Sequence, residues 1–374
     1  MTTTPTSTLL ATKLHPPSLP PRRVARPQLL ERLNAGLASG RQITLVSAPA
    51  GFGKTVCAGE WVRTLELPVT WLSLDSSDDD PGRFFSYLVA ALQTVDENLG
   101  WEIDGILRAG QLPPGEIIST TLINDILALD TRFVLVLDDF QVVQDELILG
   151  VLEQLVTNLP DTLHLVLLTR EDPNLPLARL RANNQLTEIR VQDLRFSNPE
   201  ADRFLTEVME LSIPRADVDA LEARTEGWIV GLHLAGLSIQ NRPDPSTFIT
   251  NLSGSHRFIL SYLSEEVLNR QPEDVQDFLL QTSILDRLNG DLCNALTGRS
   301  DSHALLERLY HANLFLVPLD DEGQWYRTHQ LFTDLLRDLQ ERRDQKGTVT
   351  LHLRASEWFV QAGLVSEAIQ HALA

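Results

Sequence analysis

Three stretches of the chain predict an α/β domain built on a parallel sheet, followed by a helical domain and then a winged-helix domain. The first is Ile43 to Thr55, ITLVSAPAGFGKT, an apolar run that enters a small-residue turn and leaves as Gly53-Lys54-Thr55 into a segment able to be helical. The second is Phe133 to Phe140, FVLVLDDF, a continuous apolar run closed by two aspartates. The third is the change beyond Ser197, where strand-like runs almost vanish and apolar residues recur at helical spacing.

A strand, a glycine-bearing turn and a helix in that order are what a phosphate-binding loop requires. Glycines let the backbone turn its N–H groups around phosphate oxygens, and the following helix points its positive end at the anion. Ala50, Gly51, Gly53, Lys54, Thr55 and Val56 are the candidates for this cradle. Lys54 would reach the β- and γ-phosphates and Thr55 would place its hydroxyl on Mg²⁺. The usual motif begins with glycine where this chain has Ala48, a residue small enough to allow the turn.

At 374 residues the chain is long enough for two or three domains, and 43% hydrophobic with 22% charged residues describes an ordinary globular composition. A net charge of −20 argues against a nucleic-acid surface on these residues, so no direct DNA binding is expected of them. Cys57 and Cys293 show neither a CxxC nor a Cys/His ligand spacing, which fits a reducing cytoplasm. No apolar run approaches a membrane span, so no membrane partner is expected, and residues 1–12 read as a flexible tail rather than a signal peptide.

Residues 13–196 are expected to form the nucleotide-binding domain. It opens with a Pro- and Arg-rich arm in which Val24 and Arg26 are candidates to hold a base, then a helix from Pro27. A second strand is expected over Val69 to Asp75. Asp78, Asp79, Asp80 and Pro81 invite a metal-site reading, but Asp followed by Pro is also a helix N-terminus signature, and the cap is favoured. Residues 97–118 read as short helical pieces and loops. The run ending at Asp138 and Asp139 delivers acids to the carboxyl end of a buried strand, where Asp138 would hold Mg²⁺ and Asp139 would orient an attacking water. Leu163 to Arg170 is the next strand, and Arg170 at its end is a candidate γ-phosphate sensor. A last strand is expected over Leu186 to Val191.

The helical domain is expected over 197–254, opened by a Ser-x-x-Glu capping pattern at Ser197 and Glu200. Within it Gly227 and Trp228 stand at a helix start, where a core role for Trp228 is favoured over a contact with the nucleotide base. Residues 255–346 read as a winged-helix domain, with a hairpin turning at Asp320 to Gly323 and led out by Trp325 and Tyr326. His329, just past the hairpin, can donate to phosphate or be satisfied locally. Residues 347–374 give two helices broken at Gly363, read as the start of a helical repeat that continues in a longer chain.

The motifs SAPAGFGKT, WLSLDSSDDDPGRFFSYLVAAL, VLVLDDF, LVLLTREDP, LRFSNPEADRFL, TEGWIVGLHLA and HQLF followed by LLR resemble the amino-terminal region of the large MalT-like, LuxR-type (LAL) transcriptional regulators, STAND-class P-loop ATPases of the ASCE group. The resemblance runs from about Thr12 to Ala374. It implies an α/β P-loop NTPase, helical and winged-helix domains that clamp ADP in a resting monomer, with a helical-repeat sensor and a helix-turn-helix DNA-binding domain to follow. Residue by residue it implies that Gly53, Lys54 and Thr55 cradle phosphate, and that Asp138 holds Mg²⁺ beside Asp139. It further implies that Arg170 senses the γ-phosphate, that the arm with Val24 and Arg26 binds the base, that the Gly227/Trp228 turn stands at the family's Gly-x-Pro turn, and that His329 contacts the β-phosphate.

The function so implied is a cytoplasmic ATP/ADP switch: ADP holds a closed monomer, ATP with a small-molecule or protein inducer promotes opening and self-association, and slow Mg²⁺-dependent hydrolysis resets it. The alternatives are a degenerate module that keeps nucleotide as a staple without turnover, and a conventional AAA+-like ATPase.

Overall fold

The computed structural model describes residues 9–240, 245–250, 252, 256–320 and 322–374. The chain divides into two compact units, one made of the chain to Ala48 with Gly53–Leu194, the other of Pro49–Phe52 with Arg195–Ala374.

The first unit is a five-stranded sheet of β1 (Ile43–Ser47), β2 (Val69–Ser73), β3 (Phe133–Asp138), β4 (Leu163–Thr169) and β5 (Leu186–Arg190), in the order β2-β3-β4-β1-β5. Every neighbouring pair is parallel. β1, β3 and β4 are buried along their whole length, which is why their sequences run apolar without alternation. The register sets Ser47 opposite Thr169, and Leu137 opposite Leu167, so the carboxyl ends of β1, β4 and β3 finish nearly level. Phe84, Phe85 and Leu88 of the helix Pro81–Leu92 and Ile118 and Leu122 of the helix Gly115–Leu127 join Leu135, Leu137 and Leu165 in one core. Residues 97–118, read as short pieces, contain the helix Trp101–Arg108 and the start of the next, Gly115–Leu127.

The acidic run resolves into three separate tasks. Asp80 caps the helix by accepting from Arg83 N at 2.9 Å, with Pro81 behind it, as the cap reading expects. Asp79 accepts from the backbone N–H groups of Gln144 and Asp145. Asp78 is fully buried, accepts from Asp75 N at 2.8 Å and from Arg83 Nε at 2.9 Å, and pairs with Lys13. Part of the expected tail, residues 1–8, lies outside the described residues, and the rest does not trail. Leu10 N donates to the Tyr87 hydroxyl at 3.0 Å and Lys13 sits 4.9 Å from the centre of the same ring. A basic residue met by a buried carboxylate holds down a segment whose sequence alone reads as polar and loose.

The second unit is helical as expected. Glu200 accepts from Ser197 N at 2.8 Å at the start of the helix Asn198–Arg203, and the helices Arg215–Thr225 and Ile229–Ile239 follow. The helices Arg257–Glu266, Glu273–Thr282, Gly290–Thr297 and Ser302–His311 precede an antiparallel hairpin of β6 (Leu316–Pro318) and β7 (Tyr326–Thr328), and the helix Gln330–Arg343 closes the set. Leu288 bridges to Tyr326, adding a third segment to the wing. The turn expected at Asp320 to Gly323 and the expected boundary at 254–255 fall partly on residues outside those described. The helices Gln345–Gln361 and Val365–Leu373 come last, parted by Gly363 at φ +75°, a conformation that favours glycine.

One ion pair ties the wing to the helix end before Gly227. Arg327 donates from both terminal nitrogens to the two oxygens of Glu226, each at 2.7 Å. Burial alone would raise this carboxyl, yet Arg327 and the nearby His329 bring it down to about 2. A carboxyl held below its ordinary value stabilises the fold above that value and loses the contribution as pH falls. Arg327→Ala is therefore expected to destabilise the protein by about 2 kcal/mol at pH 7 in urea unfolding. The gap from the unsubstituted protein should close as pH falls from the ordinary 4.5 toward 2.

Candidate functional site

β1 ends at Ser47 and the chain turns through APAGFG into the helix Lys54–Val62. Ala48 is fully buried and donates its N–H to Thr169 O at 3.3 Å. It is not among the residues with positive φ, so nothing at this position demands glycine and the departure from the usual motif carries no strain. Gly51 and Gly53 do need their freedom, with φ of +81° and +78°. Gly53 stands immediately before the helix, whose first N–H groups are left without helical partners and suit an anion.

Lys54 is buried and its Nζ donates to Ala48 O at 2.8 Å, curling back over the loop. Burial and the positive charge of Arg170 pull its ammonium down to about 8, against the pull of Asp139 and Asp138. Thr55 Oγ1 donates to Asp138 Oδ1 at 3.0 Å, and the same oxygen accepts from Asp139 N at 3.0 Å. Asp138 is only 4% exposed; burial first and then the neighbouring Asp139 push its carboxyl up to about 7. A hydroxyl and a carboxylate oxygen meeting at a helix N-terminus form a hard-oxygen donor pair. That fits Mg²⁺, which takes one or two protein oxygens and fills its octahedron with water and phosphate.

The ends of the strands are stitched together by side chains. Asp139, at φ +58°, accepts from Gln141 Nε2 at 2.8 Å, and Gln141 Oε1 accepts from Arg170 N at 3.0 Å. Asp172 accepts from Ser47 Oγ at 3.0 Å and from Arg190 Nη2 at 3.0 Å. Lys54, Thr55, Asp138, Asp139 and Arg170 thus lie at the carboxyl ends of the central strands, while Gln141, Asp172 and Ser47 are contributions that the motif reading missed. Only the position of Gln141, two residues past the acid pair, offered a signal. In the arm, Val24 is buried and Arg26 donates to Leu194 O and Asp193 O, each at 2.8 Å. Val56 is half-buried on the helix behind the loop.

The remaining candidates lie in the second unit. Trp228 is fully buried and its Nε1 donates to Ala50 O at 3.0 Å, while Val230 N donates to Gly51 O at 3.1 Å. A Cβ on Gly51 would stand 2.6 Å from Trp228 Nε1, so the close approach requires glycine. The Trp228 ring packs edge-on against Phe315 and His329 and lies beside Tyr262. Gly227, at φ +70°, fits where a Cβ would fall 2.4 Å from Phe196 O. Trp228 is therefore a core residue, the role favoured from sequence, and it also fastens the tip of the loop. His329 is buried with Nε2 3.0 Å from Thr225 O, and its Nδ1 has no hydrogen-bond partner. Because Nε2 faces a carbonyl it carries the proton, which leaves a lone pair at Nδ1 while the ring is neutral. Burial lowers the pKa of this imidazole, so a phosphate contact through Nδ1 would require the ring to gain a proton.

This strand order, with a Gly-Lys-Thr loop after β1 and paired aspartates at the end of β3, defines a Walker-type P-loop domain. The chain also carries a winged-helix domain of the MalT type, since the model of the MalT winged helix domain matches residues 264–348. Along its whole length it is homologous to parts of two kinds of larger protein. The serine/threonine-protein kinase PknK of Mycobacterium tuberculosis is 36% identical over 100% of this chain and 34% of its own length. The HTH-type transcriptional regulator MalT of Yersinia enterocolitica is 32% identical over 98% of this chain and 40% of its own. The chain thus spans between a third and two fifths of these relatives. Among solved structures, the Walker-type ATPase PABY2304 of Pyrococcus abyssi shares the fold, with a TM-score of 0.59 at 15% identity over 88% of this chain and all of that one. Among the described residues no helix is long and apolar enough to cross a membrane.

A carboxyl whose folded pKa is raised stabilises the fold below its ordinary value and loses that contribution as pH rises through the folded value. For Asp138 the window runs from the ordinary 3.8 up to about 7. Asp138→Asn keeps an oxygen for Thr55 and Asp139 N and removes the charge. In nucleotide-free protein it should raise stability by a few kcal/mol (roughly 1.4 per pH unit of the window) at pH 8 and leave it unchanged at pH 4. Urea unfolding at the two pH values checks this; a loss of stability at pH 8 would contradict it.

Proposed function

We propose that the chain is an ATP- and ADP-binding signal-transduction switch module of a bacterial regulator, with slow Mg²⁺-dependent ATP hydrolysis. The observation that carries this reading is the meeting of Thr55 with Asp138 beside the buried Lys54. Here two carboxylates, one lysine and one arginine converge on the N-terminus of a helix. In the proposed roles, Gly51, Gly53 and Ala50 shape the cradle and Lys54 binds the β- and γ-phosphates. Thr55 and Asp138 hold Mg²⁺, which when bound neutralises phosphate charge. Asp139 orients the attacking water and Arg170 reads the terminal phosphate. Val24, Arg26, Val56, Gly227, Trp228 and His329 remain the candidates around the rest of the nucleotide.

The switch follows from differential affinity: ADP favours a resting monomer, while ATP with an inducer favours a self-associating form. Nucleotide present at about 1,000 times its dissociation constant would stabilise the form that binds it by about 4 kcal/mol, enough to set which form prevails. One relative is named a kinase and another an HTH-type transcriptional regulator. We therefore read the output, and a sensor for the inducer, as lying outside these residues. Asp139, with one methylene less reach than a glutamate, suits slow turnover better than a motor.

The test is to denature the purified protein, identify the released nucleotide, and follow single-turnover ATP hydrolysis. Lys54→Ala should abolish nucleotide retention, and Asp139→Asn should keep binding while slowing hydrolysis about 100-fold or more. No released nucleotide together with no Lys54-dependent binding would sink the switch. Binding without any turnover would leave the stapled module, and fast steady-state turnover without an inducer would favour the AAA+-like ATPase.

A further inference from the structure

The motif reading leaves Gln141 without a task, yet its side-chain amide joins the acid pair to the end of β4. Its Nε2 donates to Asp139 Oδ1 at 2.8 Å and its Oε1 accepts from Arg170 N at 3.0 Å. The orientation of the amide is dictated by chemistry. A carboxylate only accepts and a backbone N–H only donates, so turning the amide over would break both bonds. Gln141 lies in the short turn Phe140–Val142, anchored by the buried ring of Phe140.

The segment it grips has a second restraint. Asp172, two residues beyond Arg170, is held by Ser47 at the end of β1 and by Arg190 at the end of β5. Between them the hydroxyl of Thr169 donates to Glu171 O at 2.7 Å, which tightens the turn. Arg170 therefore stands between two fixed points, one on the phosphate-loop strand and one on the acid-bearing strand. Its charge acts on Lys54 from there. Any displacement of Arg170 by a terminal phosphate would move its own N–H, and that N–H pulls on Gln141 and hence on the Asp139 carboxylate.

We propose that Gln141 is a positioning residue for the hydrolytic step, its amide aligning the Asp139 carboxylate with the Arg170 segment so that phosphate sensing and water orientation move together. The proposal rests on the hydrolytic reading above. Misplacement of a catalytic group by about 1 Å can cost about 100-fold in rate, while binding that depends on the loop and Lys54 is untouched.

Two variants separate positioning from mere structure. Gln141→Ala removes both bonds. Gln141→Glu keeps an acceptor for Arg170 N but sets a second carboxylate against Asp139. Both should lower single-turnover ATP hydrolysis by about 10- to 100-fold with ADP affinity within about twofold of the unsubstituted protein. Hydrogen exchange at the 170 amide should accelerate in Gln141→Ala and stay protected in Gln141→Glu. In an Asp139→Asn background, Gln141→Ala should have little further effect on rate. Turnover unchanged or raised in both variants, or a parallel loss of ADP affinity, would overturn the proposal while leaving the hydrolytic reading intact. Absence of Lys54-dependent turnover in the unsubstituted protein would overturn both.

Discussion

The hydrogen bond from Thr55 to Asp138 is the constraint on which the site depends, and it exists because β4 is inserted between β1 and β3. Two strand spacings put the ends of β1 and β3 roughly 10 Å apart. The gap is filled by the end of β4, and the loop after β1 arches over it to start its helix above β3. The hydroxyl then meets the carboxylate, and Arg170, just past the end of the intervening strand, bonds Gln141 and acts on Lys54. A different strand order with the same motifs would scatter these groups.

The same convergence is costly for an empty fold. A buried ammonium and a buried carboxyl are both driven toward their neutral forms, Lys54 by burial and Arg170, Asp138 by burial and Asp139. Lys54 reaches back to a backbone carbonyl, and Asp138 accepts from a hydroxyl and an amide. Perturbed buried groups of this kind cluster at functional sites more often than in stabilising networks. The ordinary kind of network lies elsewhere, in the Glu226–Arg327 pair and in Asp78 with Lys13 and Arg83.

Most of the sheet was legible because buried parallel strands write themselves as unbroken apolar runs, and the helix caps at Asp80 and Ser197 carry local signatures. The phosphate loop and the acid pair were legible because their chemistry is local to a few residues. What escaped was long-range pairing. Nothing near Lys13 announces Asp78, so the docked segment read as tail. Likewise nothing near Gln141 announces Arg170, and Trp228 read as core because its bond to Ala50 spans 178 residues. His329 was legible as a residue to watch, but its tautomer is set by a carbonyl, that of Thr225, which no pattern around it encodes.

Asp138 has a consequence for how the molecule would be measured. A carboxyl held near 7 is partly protonated in neutral solution. Under the proposed function, a divalent cation that took this oxygen would displace that proton, so loading the site would acidify the medium by a fraction of a proton per molecule. The heat of such uptake would then include the ionisation heat of whichever buffer absorbs it. Two calorimetric titrations of the same protein, one in phosphate and one in Tris, would yield different enthalpies for one and the same binding event.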